Sequence, residues 1–343
     1  TVEIGTTYLT PDKDDCPLFT RLYYPLKPGY YTPIFFLGGL YDIIGSGFYK
    51  TFLQNIAKHG YMVFGIDLIK PLLNDTAREE IEMETFRRRS LLESHLYRQE
   101  KYKEIIPNIF EQMQWLKSHV NNNTKTKADW DKLTLACHSA SCTTTLNMVQ
   151  TYPTFAAAAV FFDPVCLNAI YRKPVKSNTK ALAYVSSKSY TFPSCCVPGL
   201  GYERVYELMT NSKVRMRVKN VGHCDLLEKL ERILCNRTGV CHGGPETQVS
   251  EYQQFTAGMT HAFLRWTLYG EQDMRQYVTD QSLMPMKLDD LAYEIHPSQS
   301  VTTGDDMGVG MDDGMGDDIH FDPGTKRNMK RDPTAEERRL SLV

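Results

Sequence analysis

Short, unbroken apolar runs alternate with longer amphipathic stretches along this chain, and that alternation leaves few folds open to it. Pro33-Ile-Phe-Phe-Leu37 ends in Gly38-Gly39. Phe48 to His59 follows, with Phe48, Phe52 and Ile56 on one helical face and Gly60 as its stop. Tyr61-Met-Val-Phe-Gly-Ile66 is the next apolar run. Strand, helix, strand at this spacing is a βαβ unit, and such crossovers build parallel sheets. Leu133–Cys137, Phe155–Phe162, Ala181–Val185 and Val214–Val218 extend the series, and Tyr252–Tyr269 reads as a closing amphipathic helix. Strands apolar on both sides need helices over both faces. The expectation is therefore an α/β fold with a mostly parallel central sheet. Residues 1–32, alternating and proline-punctuated, suit edge strands. Residues 76–119 read as a long charged helical stretch with Pro107 inside it, and Asn121–Thr124 as a loop.

The run Leu133-Thr-Leu-Ala-Cys-His-Ser-Ala-Ser-Cys142 carries the chemistry. A strand closes in a knot of small residues, and a helix-compatible segment from Thr143 to Gln150 starts at once. A sharp strand-to-helix turn lifts one serine, Ser139, out of the backbone and points the next N–H, that of Ala140, at an anion. The usual G-x-S-x-G pattern has Cys137 and Ser141 in place of its glycines. Asp163, after the strand ending at Phe162, and His223, after the strand ending at Val218, complete a Ser, Asp, His order. All three fall at C-terminal strand ends, where open α/β sheets form their crevice. A histidine can take the serine proton, and a carboxylate can fix the histidine's tautomer. Glycines 38 and 39 let backbone N–H groups, that of Leu40 first, approach a developing oxyanion. Gly39, Tyr41 and His138 are the neighbouring residues expected to face substrate, with Ile43, Tyr190, Phe192 and Leu200 as apolar lining. The pattern calls for neither metal nor organic cofactor.

A net charge of −2 gives no general pull toward nucleic acid or membrane, and the triplet Arg87-Arg88-Arg89 reads as a solvated helix face. No apolar run approaches the roughly 18 residues of a transmembrane helix. Nine cysteines are many for a cytosolic enzyme, and N-x-T sequons stand at Asn74, Asn122 and Asn236. With a first residue of Thr1 rather than methionine, as after removal of a leader, they point to an oxidising, secretory setting. Disulfides are expected over zinc because no C-x₂-C pair with matching histidine spacing is present. An odd count leaves one thiol over, and Cys137 is the expected buried free one. From Ser298 onward the chain is acidic, low in complexity and poor in apolar residues, so 1–297 is expected as the folded domain and 298–343 as a disordered tail. Nothing in the sequence speaks to oligomeric state.

From about Tyr23 to Glu271 the chain resembles the chlorophyllases, serine esterases of the α/β-hydrolase superfamily. The motifs that carry this are Phe36-Leu-Gly-Gly-Leu-Tyr41, Lys132-Leu-Thr-Leu-Ala-Cys-His-Ser139, Phe162-Asp-Pro-Val165 and Gly222-His-Cys-Asp-Leu-Leu227. They look like that family's oxyanion loop, elbow strand, aspartate segment and G-H-x-D-x-L histidine loop. The chain departs from the family's G-H-S-R-G-G at Cys137, Ala140, Ser141 and Cys142, and carries Gly38 where the family usually has histidine. The resemblance implies an α/β-hydrolase fold and a small hydrophobic ester, chlorophyll-type or lipid, as substrate. Two rival readings use the same residues: a binding or matrix protein without turnover, and an acyltransferase that passes the acyl group to an alcohol.

Overall fold

The computed structural model describes residues 1–39, 44–68, 98–123, 125–165, 173–191, 202–237 and 241–296. Its strands are β1 (Ile4–Leu9), β2 (Phe19–Pro25), β3 (Gly29–Leu37), β4 (Tyr61–Asp67) and β5 (Thr126–Ala128). They continue with β6 (Thr134–His138), β7 (Ala158–Phe162), β8 (Lys180–Ser186), β9 (Lys213–Val218) and β10 (Leu288–Glu294). The sheet order is β1-β2-β4-β3-β6-β7-β8-β9-β10, with β5 paired to β3 off this path. From β4 across to β9 every neighbouring pair is parallel. The rims, β1 on β2, β2 on β4 and β10 on β9, are antiparallel.

The side-chain period of two in a strand divides each apolar run between two cores. Ile34 and Phe36 join the core that also takes Phe52 and Ile56 of the helix Lys50–Ala57 and Phe255 and Phe263 of the helix Glu246–Tyr269. Phe35 and Leu37 join the opposite core, with Ile109, Met113 and Leu116 of the helix Arg98–Asn123 and Leu146 and Val149 of the helix Cys142–Thr151. Helices thus cover both faces, as expected of an α/β-hydrolase fold. Each such side chain, fully buried, contributes roughly 1.5–3 kcal/mol by removal from water.

Several boundaries differ from expectation for local reasons. The helix before β5 runs through Pro107 and on to Asn123, where a loop was expected. Asn121 Oδ1 accepts the Ala128 N–H at 2.9 Å, so the asparagine run anchors a helix end to β5. The closing helix starts at Glu246, directly after Pro245, six residues earlier than its apolar face suggested. β10 escaped the sequence reading because Leu-Asp-Asp-Leu-Ala-Tyr-Glu alternates poorly. Its acids pair instead with basic residues of β9, Asp290 with Arg215 and Glu294 with Lys213. Arg87 to Arg89 and the tail 298–343 lie outside the described residues.

Cys137 is not a free thiol. It is bonded to Cys142, because the tight turn between them brings their Cα atoms to 5.0 Å, within disulfide reach. Cys224 is bonded to Cys235, and the Cys241 sulfur lies within 4.8 Å of both. Among the described residues the free cysteine is Cys16, which is buried and donates to the Leu18 carbonyl at 3.2 Å. Burial, with the nearby Asp14 carboxylate, pushes its thiol up to about 11. No helix of the described residues is long and apolar enough to cross a membrane.

Candidate active site

β6 ends at His138, and the next residue, Ser139, has φ +57°, the left-handed conformation that non-glycine residues rarely adopt. A single 3₁₀ turn, Ser139–Ser141, then leads into the helix beginning at Cys142. The Cys137–Cys142 disulfide joins the two arms of this turn where the usual pattern relies on glycines. Ala140 stands at the head of the turn, where the first N–H groups have no intrahelical acceptor.

Parallel pairing of β6, β7, β8 and β9 brings the other two expected residues to the same edge. His223 Nδ1 lies 2.6 Å from Asp163 Oδ2, and its Nε2 lies 2.8 Å from Ser139 Oγ. The carboxylate only accepts, so Nδ1 carries the proton, and Nε2 is left to accept from the serine hydroxyl. Ser139, Asp163 and His223 are all buried. Burial alone would raise Asp163, but the His223 imidazole and hydrogen bonds from Ser189 and Ser186 outweigh it and hold the carboxyl below its ordinary value. Ser186 donates from its N–H to Oδ1 at 2.9 Å and from its hydroxyl to Oδ2 at 2.7 Å. The Ser189 hydroxyl donates to the same Oδ2.

The histidine loop explains its own motif. Asp225 Oδ2 accepts the N–H groups of Gly222 at 2.7 Å and Gly244 at 2.8 Å, closing the turn that presents His223. A Cβ on Gly222 would lie 1.9 Å from the His242 carbonyl oxygen, so only glycine fits there. Behind the loop, the Cys224–Cys235 bond ties His223's neighbour to the helix Lys229–Arg237.

His138, expected to face substrate, is turned inward. It is 2% exposed, with Nδ1 2.8 Å from Tyr49 Oη and Nε2 3.0 Å from the His223 carbonyl oxygen. Tyr49 in turn accepts the Gly39 N–H at 2.9 Å, so Gly39 spends its donor within the protein. Sequence reasoning missed Tyr49, Ser186, Ser189 and Asp225. The last had a signal in the G-H-x-D spacing, and Ser186-Ser-Lys-Ser189 had one in following a buried strand directly. Leu40, Tyr41, Ile43, Phe192 and Leu200 lie outside the described residues, and Tyr190 is half-buried at the end of a 3₁₀ turn. Of the sequons, Asn74 lies outside them, Asn122 falls in the helix ending at Asn123, and Asn236 is exposed.

The chlorophyllase family model matches residues 185–295, a segment that contains His223 and Asp225 but neither Ser139 nor Asp163. Chlorophyllase-1 of Arabidopsis thaliana is 24% identical over 320 residues, covering 84% of this chain and 88% of that protein. Fold and edge geometry define an α/β-hydrolase. Within that class the chain is similar to the chlorophyllases.

Proposed function

We propose that this protein is a serine carboxylic ester hydrolase in which Ser139, His223 and Asp163 act as a triad on a hydrophobic ester. The observation that carries the reading is the unbroken hydrogen-bonded line from Ser139 Oγ through His223 to Asp163, with Ser139 held in the left-handed turn. His223 takes the hydroxyl proton as Ser139 attacks the ester carbonyl, then returns it to the leaving alcohol. Asp163 holds the imidazole's tautomer and offsets its charge. The N–H groups of Ala140 and Leu40 are the proposed oxyanion donors. Water then cleaves the acyl-enzyme. The name of the similar Arabidopsis protein points to a chlorophyll-type ester as the first substrate to try, and a lipid ester as the second. Disulfides at Cys137–Cys142 and Cys224–Cys235, together with exposed Asn236, favour a secretory-pathway or extracellular location.

The test is labelling with a fluorophosphonate serine-hydrolase probe, wild type against Ser139→Ala, followed by an ester panel. Labelling lost in the variant supports the triad. A folded wild type that does not label sinks it and favours a binding protein on this fold. Products formed with an added alcohol instead of water would make the protein an acyltransferase.

A further inference from the structure

Three loops meet at the reacting edge, and a buried polar line of Tyr49 and His138 joins them. The line runs from the Gly39 N–H to Tyr49 Oη at 2.9 Å, then to His138 Nδ1 at 2.8 Å, and from His138 Nε2 to the His223 carbonyl oxygen at 3.0 Å. Only one polarity satisfies it. A carbonyl oxygen can only accept, so Nε2 of His138 carries the hydrogen. In the neutral ring Nδ1 is then bare and accepts from the Tyr49 hydroxyl, whose oxygen accepts from Gly39. Tyr49 is 0% exposed and His138 2%, so water cannot replace a lost partner. The His138 ring also lies against that of His223, with centroids 4.5 Å apart and planes 33° apart. The charged or titratable groups acting on His138 are His223 and Asp163. Burial first, and the neighbouring His223 second, hold His138 down at about 3.

We propose that Tyr49 and His138 are a positioning pair, which sets the oxyanion turn against the histidine loop and leaves His223 as the site's one proton-accepting imidazole. The proposal rests on the esterase reading above. Its logic is electrostatic as well as geometric. During acyl transfer His223 becomes an imidazolium, and a second charged ring at that distance would oppose it. Both nitrogens of His138 are already committed, so protonating it would cost the bond from Tyr49. The residue just before the nucleophile thereby holds the backbone on both sides of it: Gly39 beside the proposed oxyanion donor Leu40, and His223 at its own carbonyl.

Two measurements test this. In protein with ¹⁵N-labelled histidine, the His138 ring should give the neutral Nε2–H pattern down to about pH 5. A signal from Nδ1–H, or an ordinary titration, overturns the assignment whether or not the protein turns over ester. In kinetics with a nitrophenyl ester, Tyr49→Phe should lower kcat about 10-fold with KM within about 2-fold of wild type. His138→Gln, which keeps a donor and an acceptor, should retain more activity than His138→Phe, which keeps only shape. A reactive wild type with an unaltered Tyr49→Phe overturns the positioning role alone. A wild type inert to fluorophosphonate overturns the esterase reading and with it the catalytic role of the pair.

Discussion

Cys137 and Cys142 are joined across the turn that carries Ser139, their Cα atoms 5.0 Å apart. Where the resembled motif has glycines at these two positions, this chain has a covalent link between the last part of β6 and the first residue of the following helix. The link holds the left-handed geometry from outside the turn. Closing so short a loop contributes about 2 kcal/mol on the chain-entropy account. Cys142→Ser should lose about that much stability and slow fluorophosphonate labelling roughly 10-fold as the turn loosens. The double variant Cys137→Gly/Cys142→Gly, measured side by side, should recover most of the labelling rate while staying less stable than wild type. Equal labelling by wild type and Cys142→Ser would show the link to be idle.

Ser139 itself should be a site where stability is given up for reactivity. Ser139→Ala and Ser139→Gly both remove the hydroxyl, but only alanine keeps a Cβ at φ +57°. Glycine should therefore be the more stable of the two by about 1 kcal/mol in urea unfolding, with neither variant labelled.

Two buried carboxyls should respond to pH in opposite senses. Asp163 is held below its unfolded value, so its contribution is full above about pH 4 and is lost as pH falls through the folded value. Ser186→Ala removes the hydroxyl's hydrogen bond to Oδ2, while the backbone N–H keeps its bond to Oδ1, and should start that acid loss at a higher pH. Asp67, buried although bonded to Ser46, is pushed up to about 6, mainly by burial. The folded state then holds a proton that the unfolded state releases, so stability falls as pH rises from about 4 to 6. Asp67→Asn should remove that slope, worth on the order of 2–3 kcal/mol across the interval. Denaturant midpoints across a pH series would check both signs.

Gly222→Ala should be among the most damaging single-methyl changes. The new Cβ would meet the His242 carbonyl at 1.9 Å, backbone against backbone, with no flexible side chain to yield. The expected cost exceeds about 3 kcal/mol, and the displacement of His223 should abolish labelling. Near-native stability in thermal unfolding would contradict the packing described.

The central sheet was legible because Ile34 to Leu37 and Tyr61 to Ile66 are apolar at every position, a pattern that only a strand covered on both faces can use. The order Ser139, Asp163, His223 was legible because each follows such a strand. β10 was not, since Leu288 is its one fully buried residue and its acids, facing the basic residues of β9, break the alternation that marks a strand. The inward turn of His138 was not legible either. Its role depends on Tyr49, 89 positions earlier, and on a backbone carbonyl that no composition reveals. The Cys137–Cys142 link was not legible because it depends on the left-handed turn at Ser139, which brings the two Cα atoms to 5.0 Å.

Cys16 has a bearing on how faithfully those sulfur bonds persist. A thiol in a protein with disulfides is a potential scrambler, able to open one bond and close another until the wrong set prevails. Only its ionised form attacks, and a group pushed up to about 11 is ionised to roughly one part in 10⁴ at neutral pH. Buried against the Leu18 carbonyl, it is also out of reach. Cys16 is thus a spectator to the Cys137–Cys142 and Cys224–Cys235 bonds, which its buried sulfur is held from opening by arrest as much as by equilibrium.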